Sequence, residues 1–203
     1  MSGKLIWSDF IETCKACTDC GLAATRRNVV IYRGSVRAPL MIVGEGPGEQ
    51  EDETGIPFVG AAGKLLDLLL DAFGISSEYY HICNIVKCRP PGNRVPSPEE
   101  STACRKHFAT QFRFVKPAVI LLLGSTAYKN FTGSDEGITK VRGKWIEKNG
   151  YLIMPTVHPA YVLRNNNARA DMWNDLEMVR SKLEELGVIE PLETTPAMPS
   201  GRR

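Results

Sequence analysis

Six cysteines are the residues of this 203-residue chain whose types and spacing most directly suggest chemistry. Cys14, Cys17 and Cys20 form a C-x₂-C-x₂-C run near the start, Cys83 and Cys88 lie mid-chain, and Cys104 follows with fifteen residues between it and Cys88. A bacterial ferredoxin run would place a further cysteine at position 24 followed by proline, but Ala24 and Thr25 stand there. A zinc ribbon needs a second C-x₂-C, which is missing. A C-x₂-C that recruits Cys88 and Cys104 remains, and on spacing alone iron–sulfur and zinc are both open. Residues 1–10 contain no apolar leader stretch, so a reducing, cytoplasmic setting is expected, in which metal roles outrank disulfides.

The second candidate is the loop GEGPG at 44–48. It follows an apolar run and precedes a helical one, as a phosphate loop does. Yet the G-x-G-x-x-G spacing fails and no G-K-[ST] is present. Glu49, Glu51, Asp52 and Glu53 crowd behind it and would repel a pyrophosphate. Such a loop suits an uncharged or electron-poor ligand, reached by backbone N–H groups and a carboxylate. Taken alone, the segment also reads as a solvated acidic loop.

Elements that alternate along the chain must position these residues. Residues 40–43 (LMIV) read as a buried strand, and 64–73, with leucines at 65, 66, 68, 69 and 70 before Gly74, as a helix. A second strand is expected over 80–86. A proline-rich loop over 89–98 then leads to the capping box SPEE (97–100), which opens a helix to about residue 115. Residues 118–123 form a third, wholly apolar strand. Asn149-Gly150 marks a type I′ turn between 144–148 and 151–154, and an amphipathic helix is expected over 170–186. The pattern predicts an α/β fold, three-layer α/β/α, with a four-stranded mostly parallel central sheet. Ligands of such sheets bind at the carboxyl ends of the strands, here Gly44, Asn84 and Gly124. One domain is expected over 1–190 and a disordered tail over 191–203. At 43% hydrophobic and 24% charged, the composition is that of an ordinary globule. No apolar run is long enough to span a bilayer. A net charge of +2 does not announce a nucleic-acid binder, so any such role must rest on local patches.

Four blocks together carry a resemblance: GEGPGEQED (44–52), TGIPFVG (54–60), NIVKCRPP (84–91) and HPAYVLRN (158–165). In this order and spacing the chain resembles the family 4 uracil-DNA glycosylases over residues 10–187. The resemblance implies removal of uracil from DNA, single- or double-stranded, by a monofunctional hydrolase acting as a monomer without a membrane. It also implies a [4Fe–4S] cluster held by Cys17, Cys20, Cys88 and Cys104. Cys17 and Cys20 are preferred over Cys14 and Cys17 because the distance from Cys20 to the first strand fits the family, and Cys83 reads as plain core. Phe58 resembles the ring on which uracil stacks, Asn84 the reader of its edge, and His158 the donor to O2 of the departing base. Without the motif, a Phe in a glycine-rich loop is ordinarily a core anchor, a strand-end Asn a backbone cap and a His before proline a structural residue. Glu45 and the carboxylates at 49–53 are the candidates to orient water beside a positive sugar. Glu45 is favoured for the water and Glu51 for lining the pocket beside uracil C5, and Gly46 stands where the best-known uracil glycosylases carry an aspartate.

DNA contact is expected at Lys87, Arg89, Arg94, Arg105 and Lys106, and at Lys140, Arg142 and Lys144. Leu163 and Arg164 resemble a loop that wedges into the minor groove. The acidic residues Asp171, Asp175, Glu177, Glu184 and Glu185 read as a solvated face turned away from DNA. Other readings of the same residues are a superfamily relative with altered base preference or covalent uracil binding, a cluster-bearing DNA-binding module without catalysis, and a zinc-stabilised nucleotide hydrolase. The insertion that marks the covalent relatives is absent from 85–104.

Overall fold

A computed structural model describes residues 6–198. Its sheet runs β1 (Arg33–Gly34), β2 (Leu40–Gly44), β3 (Tyr80–Asn84), β4 (Val119–Leu123), β5 (Ile146–Lys148) and β6 (Tyr151–Thr156), in the spatial order β1-β3-β2-β4-β6-β5. β3, β2, β4 and β6 are parallel neighbours, and β1 and β5 pair antiparallel at the two edges. The expected four parallel strands are therefore the centre of a six-stranded mixed sheet. β1 is two residues long, too short for any hydropathy pattern to reveal. β5 and β6 form the expected hairpin, and Asn149 and Gly150 both take the positive φ (52° and 78°) that a type I′ turn needs.

The strands are apolar throughout because both faces are covered. Leu40, Ile42, Ile82, Val119 and Leu121 point to one face, where they pack on α3 (Ala61–Ala72), α7 (Pro159–Arg164) and α8 (Ala168–Glu185). Met41, Val43, Cys83, Ile120 and Leu122 point to the other, against α4 (Pro98–Val115), α5 (Gly124–Thr132) and α6 (Ile138–Val141). The period of two along each strand thus sorts the chain into three layers. Two helices lie outside these stacks, α1 (Trp7–Lys15) and α2 (Glu49–Thr54). α2 and α7 have six residues each, fewer than two turns, so they carry no amphipathic period and read as loop from sequence.

α4 begins as its capping box predicts. Ser97 Oγ accepts from the Glu100 N–H at 3.2 Å, and Glu100 Oε2 accepts from the Ser97 N–H at 2.8 Å. The acidic face expected of α8 is not wholly solvated. Asp175 is fully buried, accepting from Thr156 Oγ1 at 2.6 Å and pairing with Arg142, which also reaches Asp171. That pairing removes Arg142 from the surface patch expected to meet DNA, because its guanidinium neutralises a carboxylate buried between helix and sheet. Of the segment expected to be a disordered tail, Leu192 N–H donates to Glu184 at 3.1 Å, and residues 199–203 lie outside the described residues, as do residues 1–5. Among the described residues, no helix is long and apolar enough to cross a membrane.

Candidate active site and cysteine centre

Because β2, β3, β4 and β6 run parallel, their carboxyl ends open on one side of the sheet. A cavity of about 710 Å³ lies there, lined by Glu45, Phe58, Asn84, Thr126, His158 and Arg164 among others. Asn84 ends β3 and is 1% exposed, and its Oδ1 has no hydrogen-bond partner among the described residues. A buried amide oxygen left without a partner is rare and costly unless something else is meant to meet it. Gly44 leaves room for it, since a Cβ at that position would stand 2.4 Å from Asn84 Oδ1 and 2.6 Å from the Phe58 ring.

Phe58 is buried with φ at +57°, a left-handed conformation that a bulky residue adopts only when its surroundings impose it. Glu51 imposes it. One carboxylate oxygen accepts from the Val59 and Gly60 N–H groups at 2.9 and 2.8 Å, and the other from the Gly48 N–H at 3.0 Å. Glu51 does line the cavity, but both of its oxygens hold backbone. Its first effect is to tie the Gly48 turn to the Phe58 segment.

The other acidic residues behind Gly44 sort themselves by partner. Asp52 is buried and accepts from the Arg27 and Asn28 N–H groups at 2.9 and 3.2 Å. Glu53 pairs with Arg27 and Glu49 with Arg89. Glu45 alone turns its carboxylate to the cavity beside a hydroxyl: Thr126 Oγ1, in α5, donates to its Oε2. Nothing in the sequence signals Thr126, which lies 81 residues from Glu45. Gly46 also lines the cavity, and a Cβ there would stand 2.9 Å from Val86.

His158 caps the N-terminus of α7. Its Nδ1 accepts from the Ala160 N–H at 3.1 Å, which leaves the proton of the neutral ring on Nε2. Burial, joined by the Arg164 charge, pushes its pKa down to about 4 against the opposing effect of Glu51. The ring is neutral at physiological pH, and it lies against Phe58 with ring centroids 5.8 Å apart and planes inclined by 29°. The site therefore holds a flat ring, an amide with a free acceptor, an N–H donor and a positioned carboxylate.

At the rim, Leu163 is 46% exposed, Arg164 is exposed, and both lie on α7, a helix where the sequence reading expected a loop. The expected basic patch is smaller than its sequence. Lys87 is 1% exposed, with Nζ donating to the Asn84 carbonyl at 2.7 Å, so it is corrected from surface contact to core residue. Arg89 is held by Asn93 at 2.7 Å and Glu49 at 3.3 Å, and Arg94 grips Glu100 through both nitrogens. Lys106 pairs with Asp19, while Arg105, Lys140 and Lys144 stay exposed.

On the other face of the sheet, Cys17, Cys20, Cys88 and Cys104 line one small hollow, with Cys14 beside them. Cys83 lies in β3 among core residues, as expected. Cys14 is buried with its sulfur 3.4 Å from His107 Nδ1, and Arg26 donates to Cys88 Sγ at 3.4 Å, a partner the sequence did not suggest. Burial pushes the Cys88 thiol up to about 11 and the Cys14 thiol up to about 12, and raises Cys17 and Cys104. A thiolate-binding metal would have to displace those protons, and the donor set fits such a metal: four sulfurs from three chain segments beside Arg26 and Lys87. Among the described residues, the metal-binding groups lying mutually within 4.8 Å are Cys17, Asp19 and His107. The four thiols are thus not drawn to the roughly 3.8 Å sulfur separation that tetrahedral zinc with bonds near 2.3 Å requires.

Residues 31–177 match the Uracil DNA glycosylase superfamily. The type-4 uracil-DNA glycosylase of Thermotoga maritima is 47% identical over 180 residues, covering 87% of this chain and 94% of that protein. This chain is a type-4 member of the uracil-DNA glycosylase superfamily. Two further type-4 relatives, from Saccharolobus solfataricus and Sulfurisphaera tokodaii, are each 42% identical over 178 residues, covering 83% and 81% of this chain and 82% and 79% of theirs. The superfamily match spans the strand ends, the cavity and the segments bearing Cys88 and Cys104.

Proposed function

We propose that the protein is a DNA-repair glycosylase that flips uracil out of DNA and hydrolyses its N-glycosidic bond, leaving an abasic site. The observation that carries this reading is the buried, unpartnered Oδ1 of Asn84 at the floor of a cavity walled by Phe58 and His158. The amide oxygen accepts from uracil N3–H and the amide nitrogen donates to O4, a pattern cytosine cannot meet. The flipped base stacks on Phe58, and flipping costs a few kcal/mol of lost stacking and pairing. As the C1′–N1 bond breaks, the bonding electrons leave with uracil. The His158 Nε2–H stabilises the charge that gathers on O2, a fixed donor acting without reorganisation. Glu45, oriented by Thr126, holds the water that adds to C1′, takes its proton and stabilises the electron-poor sugar. Leu163 fills the gap left in the stack, with Arg164 beside it, and Arg89 contacts the DNA. Gly46 leaves the space beside the base, and Glu51 holds the Phe58 segment in register.

Cys17, Cys20, Cys88 and Cys104 would hold a [4Fe–4S] cluster, which when bound cross-links the N-terminal segment, the proline-rich loop and α4. The four-thiol donor set, drawn from three chain segments into one hollow, supports this reading. The test is to incubate the iron-loaded protein with a labelled oligonucleotide containing one uracil and then treat with alkali. Scission at the uracil is expected, and an intact strand would sink the reading.

A further inference from the structure

Gly63 stands in the first turn of α3, where it is buried. Glycine is a poor helix former, and α3 is otherwise built mostly from alanine and leucine, which favour a helix. The reason for it lies five residues back. A Cβ at position 63 would stand 1.8 Å from the Phe58 carbonyl oxygen, 2.1 Å from its carbonyl carbon and 2.8 Å from its Cα. All three are main-chain atoms, so no change of rotamer relieves the overlap. The peptide unit that follows Phe58 is thereby fixed at both ends. Its carbonyl lies against the bare Cα of Gly63, and its N–H, that of Val59, is taken by Glu51 at 2.9 Å. Phe58 itself has φ at +57°, which a bulky residue keeps only under such constraint. The ring beyond it lies over Gly44, where a Cβ would stand 2.6 Å from Cζ and 2.8 Å from Cε2, and it lies beside His158. Ala61 and Ala62 of the same turn line the cavity. The first turn of α3 is therefore the surface against which the Phe58 segment folds.

We propose that Gly63 is a positioning residue for base stacking: by lacking a side chain it lets the Phe58 main chain seat on α3, which fixes where the ring meets uracil. This rests on the reading of Phe58 as the ring on which the flipped base stacks. A methyl group at 63 has two ways to fit. Either α3 moves, which unpacks Leu66 and Leu70 from the core, or the Phe58 segment moves and takes its ring with it. The segment is the softer of the two. It is held by the Glu51 hydrogen bonds against an unfavourable φ, whereas α3 is a 12-residue helix with an apolar face buried under the sheet. The displaced ring no longer offers its face to the base, while helix, sheet and cysteine hollow keep their contacts.

The experiment puts Gly63→Ala into the parent and into Phe58→Leu, which keeps an apolar side chain in place but has no flat face. Single-turnover uracil excision, inhibition by free uracil and the helical circular-dichroism signal are read in all four proteins. Loss of base–aromatic stacking predicts that Gly63→Ala slows excision by roughly tenfold to a hundredfold and weakens inhibition by uracil by a similar factor. In Phe58→Leu no ring is left to misplace, so the same substitution should cost less than about twofold, the non-additivity of two residues that act as one. The helical signal should match the parent throughout. Equal losses in both backgrounds would make Gly63 a residue of the fold and overturn the proposal. So would a Gly63→Ala chain that loses its helical signal, since α3 and not the Phe58 segment would then have yielded. Excision by Gly63→Ala at the parent rate would overturn it too. A Phe58→Leu protein that excises uracil as fast as the parent would instead refute the stacking role of Phe58.

Discussion

The cavity at the strand ends and the cysteine hollow share no lining residue, and they are held in different ways. Cavity residues are fixed by backbone hydrogen bonds: Glu51 takes the N–H groups of Gly48, Val59 and Gly60, and His158 takes that of Ala160. Asn84 Oδ1 is left without a partner among the described residues. The hollow is the reverse. Its thiols come from a turn after α1, from the segment after β3 and from within α4, Arg26 donates to the Cys88 sulfur, and Lys87 lines the hollow beside them. One region is preorganised, as the base pocket proposed here requires. The other, read as a metal site, is completed only when a bound metal turns its thiols into thiolates. The difference follows from the groups themselves, since carboxylates and imidazole are held by backbone N–H groups, whereas buried thiols bind a metal only after they lose protons.

The largest effect should come from breaking the hollow. Cys88→Ala removes the thiol that links the proline-rich loop to the site, and the iron content should fall to background. Limited proteolysis should then begin within 89–98, because Arg26 loses its sulfur partner and the loop its anchor. Cys83→Ala, a loss of one buried sulfur from the core, should keep its iron. Full iron in Cys88→Ala would erase the contrast between the two regions.

Asn84→Asp sharpens the other side. An ionised Asp sets a carboxylate oxygen against uracil O4, acceptor against acceptor. Losing one good base-edge pairing costs about 1–3 kcal/mol, so uracil excision should fall roughly tenfold to a hundredfold. A protonated Asp offers O–H to cytosine N3 and accepts from its amino group, so weak cytosine excision should appear at low pH. Iron content should be unchanged, since Lys87 bonds the Asn84 main chain and not its side chain. Excision at the parent rate by a folded, loaded variant would remove Asn84 from the pocket.

The two regions were unequally legible in sequence. The four parallel strands, the α4 capping box and the Asn149-Gly150 turn follow from local patterns, because strand burial and turn chemistry are short-range. Phe58, Asn84 and His158 came from motifs, and they do meet in one cavity. What sequence could not supply is pairing across the fold. Thr126 reaches Glu45 from 81 residues away, and Arg26 reaches Cys88 from 62. Lys87 beside Arg89 in a proline-rich loop has the composition of a DNA-facing patch, and only the turn after β3 folds it inward. Among the carboxylates at 49–53, composition cannot separate one that caps backbone from one that faces solvent.

Thr126→Val tests the cavity carboxylate that bonds a hydroxyl, Glu45. Removing the hydroxyl leaves Glu45 Oε2 without that donor, and a lost hydrogen bond to a charged group predicts a fall in kcat of roughly tenfold. KM should change little, because Thr126 is assigned to the water and not to the base. Thr126→Ser should recover most of the rate. A loss confined to KM would move Thr126 from the water side of the site to base binding.

The smallest expected effect is a flat line. Burial and the Arg164 charge hold His158 at about 4, well below the ordinary histidine value, so the ring stays neutral as pH falls through the usual histidine range. Protonation would further require Nδ1 to give up the Ala160 N–H it accepts at 3.1 Å, which uncaps α7 and adds to the cost. Because the neutral ring already carries its proton on Nε2, it donates to O2 without charging. Single-turnover uracil excision by the iron-loaded protein should therefore change by less than about twofold between roughly pH 8 and 6 on account of His158. The control is His158→Gln, which keeps a donor of similar reach but cannot titrate, and its slower excision should follow the same profile. A step near the ordinary histidine pKa, present in the parent and absent from His158→Gln, would mean that the imidazolium and not the imidazole meets the departing base. In that case the cavity would not be preorganised in its resting charge state, and the contrast with the hollow, which must lose protons to function, would fail at this residue.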